Sequence, residues 1–187
     1  MLSAILHEPL VVWTLRSFLA ALFLTAALSK LTAIDEFHGV VRNFRLLPDG
    51  LARPVAMVLP VVEMAIAAGL LIGPLARPAA LAAAALLAVF GLAIAVNVLR
   101  GRTQIDCGCF RSGMKQRIGW ATVARNGVLT ALALGAGALL AQGRAASAGD
   151  IATGLAAGLT LTLLYMGAEM LGGFVAMNNR ASSTKGR

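Results

Sequence analysis

Residues 79–99 read AALAAAALLAVFGLAIAVNVL, a run with no charged residue. A helix of this length reaches about 30 Å, the hydrocarbon thickness of a bilayer. In water it would have no polar face to present. In lipid it needs none, because a helix satisfies its backbone groups internally. The run predicts a membrane-spanning helix, and four others of similar length and character surround it, at about 10–31, 54–73, 119–141 and 151–177. The expected fold is all-α: a polytopic membrane helical bundle with a four-helix core plus a fifth transmembrane helix, forming a single integral membrane domain over 1–187. The first run lacks a basic leader and is long for a signal-peptide core, so it reads as a retained span.

The bulk composition agrees. Hydrophobic residues make up 59% of the 187, and charged residues 13%, against about 25% in soluble domains. Mean hydropathy is +0.83. A disordered chain and a two-domain soluble enzyme are both excluded, since no polar stretch is long enough to fold alone. Aromatics are only 5% and there are 20 glycines, a small-residue bias that suits close helix packing in lipid. A net charge of +8 would suggest nucleic acid in a soluble protein. Here there is no helix-turn-helix, zinc-finger or RNA-binding motif, so the expected surroundings are the lipid bilayer and not nucleic acid.

Turn residues fall between the spans. Pro48-Asp49-Gly50 and Arg53-Pro54 precede the second; Gly73-Pro74 and Arg77-Pro78 make the next connection so short that the second and third spans should be antiparallel neighbours. Ser147-Ala148-Gly149-Asp150 offers the fifth an N-cap. Gly69-x-x-x-Gly73 and Gly154-x-x-x-Gly158 are small-residue packing patterns, weak signals for a dimer. With five spans, one side of the membrane carries twelve Lys and Arg residues and the other two, Arg77 and Arg144, with Arg16 and Arg125 inside spans. The positive-inside rule puts the twelve-charge side, and the 100–118 loop with it, in the cytoplasm.

That loop holds both cysteines, Cys107 and Cys109, separated by Gly108 and followed by Phe110. Cysteines two apart can close only a small strained ring, and Gly108 allows the bend it needs. Strained disulfides are oxidising and exchange readily. Arg100, Arg102, Arg111, Lys115 and Arg117 flank the pair and favour the thiolate nucleophile. Ile105, Phe110, Met114 and Ile118 are apolar within this basic stretch, as if it folds back onto the bilayer surface. Other uses of the pair are inert packing, a purely structural disulfide, or half of a zinc site. The last lacks ligands, because the two histidines, His7 and His38, are far away in sequence and His7 falls on the other side. A dithiol/disulfide exchange site accounts best for the pattern.

Ionisable and amide side chains inside spans are costly and default to function. Lys30, Glu63, Asn97, Arg125, Asn126 and Glu169 all fall in the membrane half facing the cysteine loop, which predicts a polar pocket beneath it. Glu63 or Glu169 would neutralise Arg125 and accept a proton. The bland alternative is a structural Glu63–Arg125 pair with Lys30 snorkelling to the interface. Arg16, in the opposite half, reads as a snorkelling or lipid-phosphate residue.

At this point the chain resembles the methylamine utilisation protein MauE family, within the wider DoxX-like group of redox-associated membrane proteins. The matching elements run from Leu22-Phe23, Ala26-Ala27 and Ser29-Lys30-Leu31 through Phe44-Arg45-Leu46-Leu47-Pro48 and Leu59-Pro60-Val61-Val62-Glu63 with Gly69-Leu70-Leu71. They continue with Asn97-Val98-Leu99-Arg100-Gly101, Cys107-Gly108-Cys109-Phe110 and Val123-Ala124-Arg125-Asn126. One departure is Arg111, where the family pattern has glycine; it adds positive charge beside Cys109. The resemblance implies a multi-pass protein of the bacterial inner membrane. It would serve maturation of the small, disulfide-rich subunit of periplasmic methylamine dehydrogenase, together with a thioredoxin-like MauD-type partner. Cys107 and Cys109 would then exchange electrons with the partner's Cys-x-x-Cys pair. The alternatives are a non-catalytic membrane scaffold for that partner, or a quinone-linked DoxX-like redox protein with another substrate. A periplasmic substrate conflicts with a cytoplasmic loop. Three resolutions stand open: the charge rule fails here, the pair is reached from either side through a polar pocket, or it passes electrons to a membrane quinone, the one candidate cofactor.

Overall fold

A computed structural model describes residues 9–105, 117–141 and 145–185, with backbone alone at 49 and over 173–185. The helices are α1 (Pro9–Leu31), α2 (Ile34–Phe44), α3 (Asp49–Leu71), α4 (Ala76–Leu99), α5 (Trp120–Leu140) and α6 (Ala148–Lys185), with a single 3₁₀ turn at Gly73–Leu75. All but α2 contain an apolar stretch long enough to cross a membrane. The chain is therefore an all-α, multi-pass membrane protein.

The main core is built by four helices. Phe18, Leu19, Leu22 and Phe23 of α1 meet Ile66, Ala67 and Leu70 of α3. Across from them, Ala80, Ala83, Ala84 and Leu87 of α4 pack on Leu129, Ala133 and Ala136 of α5. Small residues let the backbones approach closely where no hydrophobic driving force acts between helices in lipid. The fifth spanning helix, α6, lies against α1 and sends Tyr165 to the core's edge, edge-on to Phe18 at 6.1 Å. Large exposed side chains such as Leu92, Leu163 and Leu171 form the lipid-facing surface.

Of the three connections read from turn residues, one differs and two agree. α3 starts at Asp49, five residues before Pro54, so Pro54 and Pro60 both sit inside the helix. α3 and α4 fold back on each other through the 3₁₀ turn, close enough that a Cβ on Gly69 would lie 2.9 Å from Ala79 Cβ. Ser147 and Asp150 cap α6 reciprocally: the Ser147 hydroxyl accepts from the Asp150 amide at 3.1 Å, and the Asp150 carboxylate accepts from the Ser147 amide at 2.9 Å.

Arg16 and the Gly154/Gly158 pair find their partners inside the chain. Arg16 does not reach lipid phosphate. It is 5% exposed, and its Nε and Nη2 donate to the Leu70 and Leu71 carbonyls at 2.7 and 3.2 Å, with the Trp13 ring 3.8 Å away. The cause is the C-terminus of α3, whose last carbonyls have no helical partner and carry the negative end of the helix dipole. Gly154 and Gly158 serve contact within the chain. The Ser17 hydroxyl sits 2.8 Å from the Gly154 carbonyl oxygen, and a Cβ on Gly158 would lie 2.7 Å from both Phe18 N and Thr14 O. Backbone cannot yield as a flexible side chain can. Gly158→Ala should therefore cost about 1–3 kcal/mol of stability. Gly167→Ala, on the same helix with nothing within 4 Å of its Cβ position, should be neutral or slightly stabilising. Thermal unfolding of both variants in detergent checks this; equal melting points would mean that α6 does not pack on α1 as described.

Candidate functional site

Lys30 is in the last turn of α1, and the chain turns immediately into α2. An eleven-residue helix is too short to span. Its apolar residues Ile34, Phe37, Val40, Val41 and Phe44 recur at helical spacing, while Asp35, Glu36 and Arg42 are exposed. α2 is thus an amphipathic helix, and it packs on α3. It ends at Arg45, in the left-handed region at φ 49°, a conformation usually left to glycine.

Beneath α2 lie the ionisable groups. The Lys30 ammonium donates to both oxygens of Glu63 at 2.8 and 2.9 Å and to the Ala26 carbonyl at 3.3 Å, with the Phe37 ring 5.4 Å away. Lys30 is 4% exposed and Glu63 2%. Lys30 therefore does not snorkel; it is held by Glu63. Arg125 of α5 forms an ion pair with Glu169 of α6. Lys30 and Arg125 are thus each matched by a carboxylate.

Lys30, Glu63, Arg125 and Asn126 line one cavity of about 310 Å³. The rest of its wall is apolar or aromatic: Leu22, Phe23 and Ala26 of α1, the inner face of α2, Val55 and Leu59 of α3, Phe90 and Ala93 of α4, and Tyr165 of α6. Asn126 is fixed by its own helix, donating to the Thr122 carbonyl at 3.0 Å, and packs so close to α4 that a Cβ on Gly91 would lie 3.3 Å from its Cβ. Glu169 reaches the cavity through its pair with Arg125.

Asn97 is elsewhere, at the base of the cysteine loop. α4 ends in a Schellman turn: Arg102 N–H donates to the Asn97 carbonyl at 2.9 Å and Gly101 N–H to the Val98 carbonyl at 3.0 Å, with Gly101 at φ 71°. This turn aims Arg102 back at the bundle. Its guanidinium donates to Asn97 Oδ1 at 3.2 Å and to the last carbonyls of α2, Asn43 at 2.8 Å and Phe44 at 3.3 Å. Asn97, fully buried, donates in turn to the Ala93 carbonyl at 3.1 Å. Arg102 was legible only as one loop charge among five; the glycine before it, at a helix end, is the signal that it turns back. The loop's two described ends are also tied. Ile118 N–H donates to the Ile105 carbonyl at 3.0 Å, and both side chains are buried with Ile94 against the bundle rather than lying on the bilayer surface. Cys107, Gly108, Cys109 and Phe110 lie outside the described residues.

The arrangement offers hydrogen-bond donors and ion-paired carboxylates at the edge of an apolar chamber. Among the described residues, no three His, Cys, Asp or Glu side chains come together as metal ligands would.

Comparison with known proteins bears on what such a site serves. The sequence model of the methylamine utilisation protein MauE family matches residues 8–142. The methylamine utilization protein MauE of Paracoccus versutus is 70% identical over 186 residues, covering all of both chains. That of Paracoccus denitrificans is 59% identical over 97% of this chain and 98% of its own length. That of Methylorubrum extorquens is 49% identical over the whole of both. No solved structure matches the chain.

Proposed function

The chain belongs to the methylamine utilisation protein MauE family, and on that premise we propose that it is a thiol–disulfide redox protein of the bacterial inner membrane. In this reading it serves methylamine utilisation by supporting disulfide formation in the methylamine dehydrogenase small subunit, acting with a thioredoxin-like partner. The observation that carries the reading is the Cys107-Gly108-Cys109 pair, set in a basic loop between α4 and α5, two of the helices that wall the ion-pair chamber.

A thiolate of the partner's Cys-x-x-Cys attacks the Cys107–Cys109 disulfide, which breaks as a mixed disulfide forms. The partner's second thiolate then releases it. The partner leaves oxidised, and Cys107 and Cys109 gain two electrons and two protons. The short ring and the surrounding cations favour the first step, by strain and by stabilising thiolate. The pinned ends of the loop, at Ile105 and Ile118, support it further, because they fix where the pair is tethered.

A single Cys107→Ser or Cys109→Ser variant tests this. One of the two should accumulate a mixed disulfide with a thioredoxin-like protein, visible as a reducible band on non-reducing gels and identified by mass spectrometry. Absence of any adduct from either variant would favour the scaffold reading. Labelling intact cells with a membrane-impermeant maleimide, before and after reduction, gives the loop's side. Labelling only after reduction supports an oxidised, periplasm-facing pair.

A further inference from the structure

The chamber of about 310 Å³ is larger than packing between helices leaves by chance and falls in the range of small-molecule sites, about 300–1,000 Å³. Its walls decide what fits. Phe23, Phe37, Phe44, Phe90 and Tyr165 supply flat aromatic faces, and the remaining wall is mostly aliphatic. At its polar edge stand Arg125 and Asn126, both hydrogen-bond donors, beside Lys30, whose three N–H groups are taken by Glu63 and Ala26. The two cations are already matched by carboxylates, Lys30 by Glu63 and Arg125 by Glu169. An anionic headgroup would find no surplus positive charge there and would meet two carboxylates instead. A neutral ring bearing carbonyl oxygens meets donors without that penalty, and an apolar tail is matched by the rest of the wall.

We infer that this chamber binds an isoprenoid quinone, its ring among the aromatic side chains and its carbonyl oxygens accepting from the Arg125–Asn126 edge. Binding stands on the cavity alone. The redox role rests on the thiol reading above: a quinone taking two electrons and two protons from a dithiol becomes the quinol and leaves a disulfide, which supplies the oxidant that reading requires.

The test is therefore made on the full chain carrying Cys107→Ser and Cys109→Ser, so that it reads binding without thiol chemistry. Decylubiquinone is titrated into this protein in phosphatidylcholine nanodiscs. Saturable binding is expected, not displaced by excess phosphatidylglycerol. Ala26→Phe on α1 and Ala93→Phe on α4 fill the chamber from two sides, and each should weaken binding about tenfold or more, the loss from displacing about one ring's apolar contact. Melting points run alongside identify a filled variant that has merely misfolded. A photoreactive azido-benzoquinone on the unfilled protein should label peptides within 22–47, 55–63, 86–94 or 125–129, or Tyr165. Non-saturable binding, displacement by phosphatidylglycerol, labelling elsewhere, or full affinity in folded filled variants would each overturn the assignment.

Discussion

Glu63→Ala should destabilise the protein by about 3–5 kcal/mol, the cost of leaving one member of a buried ion pair without its partner. Lys30 would keep only the Ala26 carbonyl at 3.3 Å and the face of Phe37. At 4% exposure on a largely apolar wall, it has little water within reach to replace the lost carboxylate. Thermal unfolding in detergent, with membrane abundance as a second readout, measures the loss. The double variant Lys30→Met/Glu63→Leu removes both charges and keeps the volume, and should recover most of the stability, since buried pairs are often no better than well-packed apolar residues. The pair of measurements separates fold from function. If the double variant is stable yet fails to support methylamine dehydrogenase formation, the charges act in the chemistry. If it restores both, they serve the fold alone. An unchanged melting point for Glu63→Ala would mean that Lys30 reaches water after all. The Arg125–Glu169 pair should give a smaller loss when broken, because its members are 14% and 17% exposed.

Lipid explains why so much of the fold is legible in the sequence. A span must be apolar along its whole length, so 79–99 declares itself without reference to any neighbour. The four-helix core with a fifth helix outside it follows from the same pattern, sharpened by the short Gly73-Pro74 connection. α2 escapes this logic. It is eleven residues long, carries charge, and shows itself only by apolar residues at helical spacing over 34–44, easily passed over as a polar connection. The six polar residues are visible because charge inside a span is rare; Glu169 is one of the two partners the pattern offers Arg125, but nothing in it pairs Lys30 with Glu63. At the end of a helix a lysine can reach either the interface or the interior, and what decides is a carboxylate 33 residues away on α3. Arg16 is the same case in the other half of the bundle: its partners are backbone carbonyls, which every residue carries and no sequence marks. Gly154 and Gly158 announce close contact but not with which helix, and α1 rather than a second copy occupies them.

Replacing both Cys107 and Cys109 with serine should abolish formation of active methylamine dehydrogenase while leaving the membrane protein's abundance and melting point unchanged. Serine keeps nearly the size of cysteine but forms no disulfide, so the variant loses electron transfer and little else. The buried clusters that hold the bundle are built from α1, α3, α4 and α5 with Ile105 and Ile118, none of which it alters. Growth on methylamine, and the thiol state of the dehydrogenase small subunit in cell extracts, are the readouts. The small subunit should be recovered with free thiols. Adding cystine to the medium sharpens the reading: if the chain acts only by supplying oxidising equivalents to its partner, an external oxidant should restore part of the activity. A scaffold behaves in the opposite way. It keeps its activity with both cysteines gone, and loses it when the surface is altered instead, for example by Arg102→Ala, which releases the C-terminus of α2 from the start of the loop. A full phenotype in the serine pair with little effect of Arg102→Ala assigns the work to the sulfurs. The converse assigns it to the surface on which the loop is mounted.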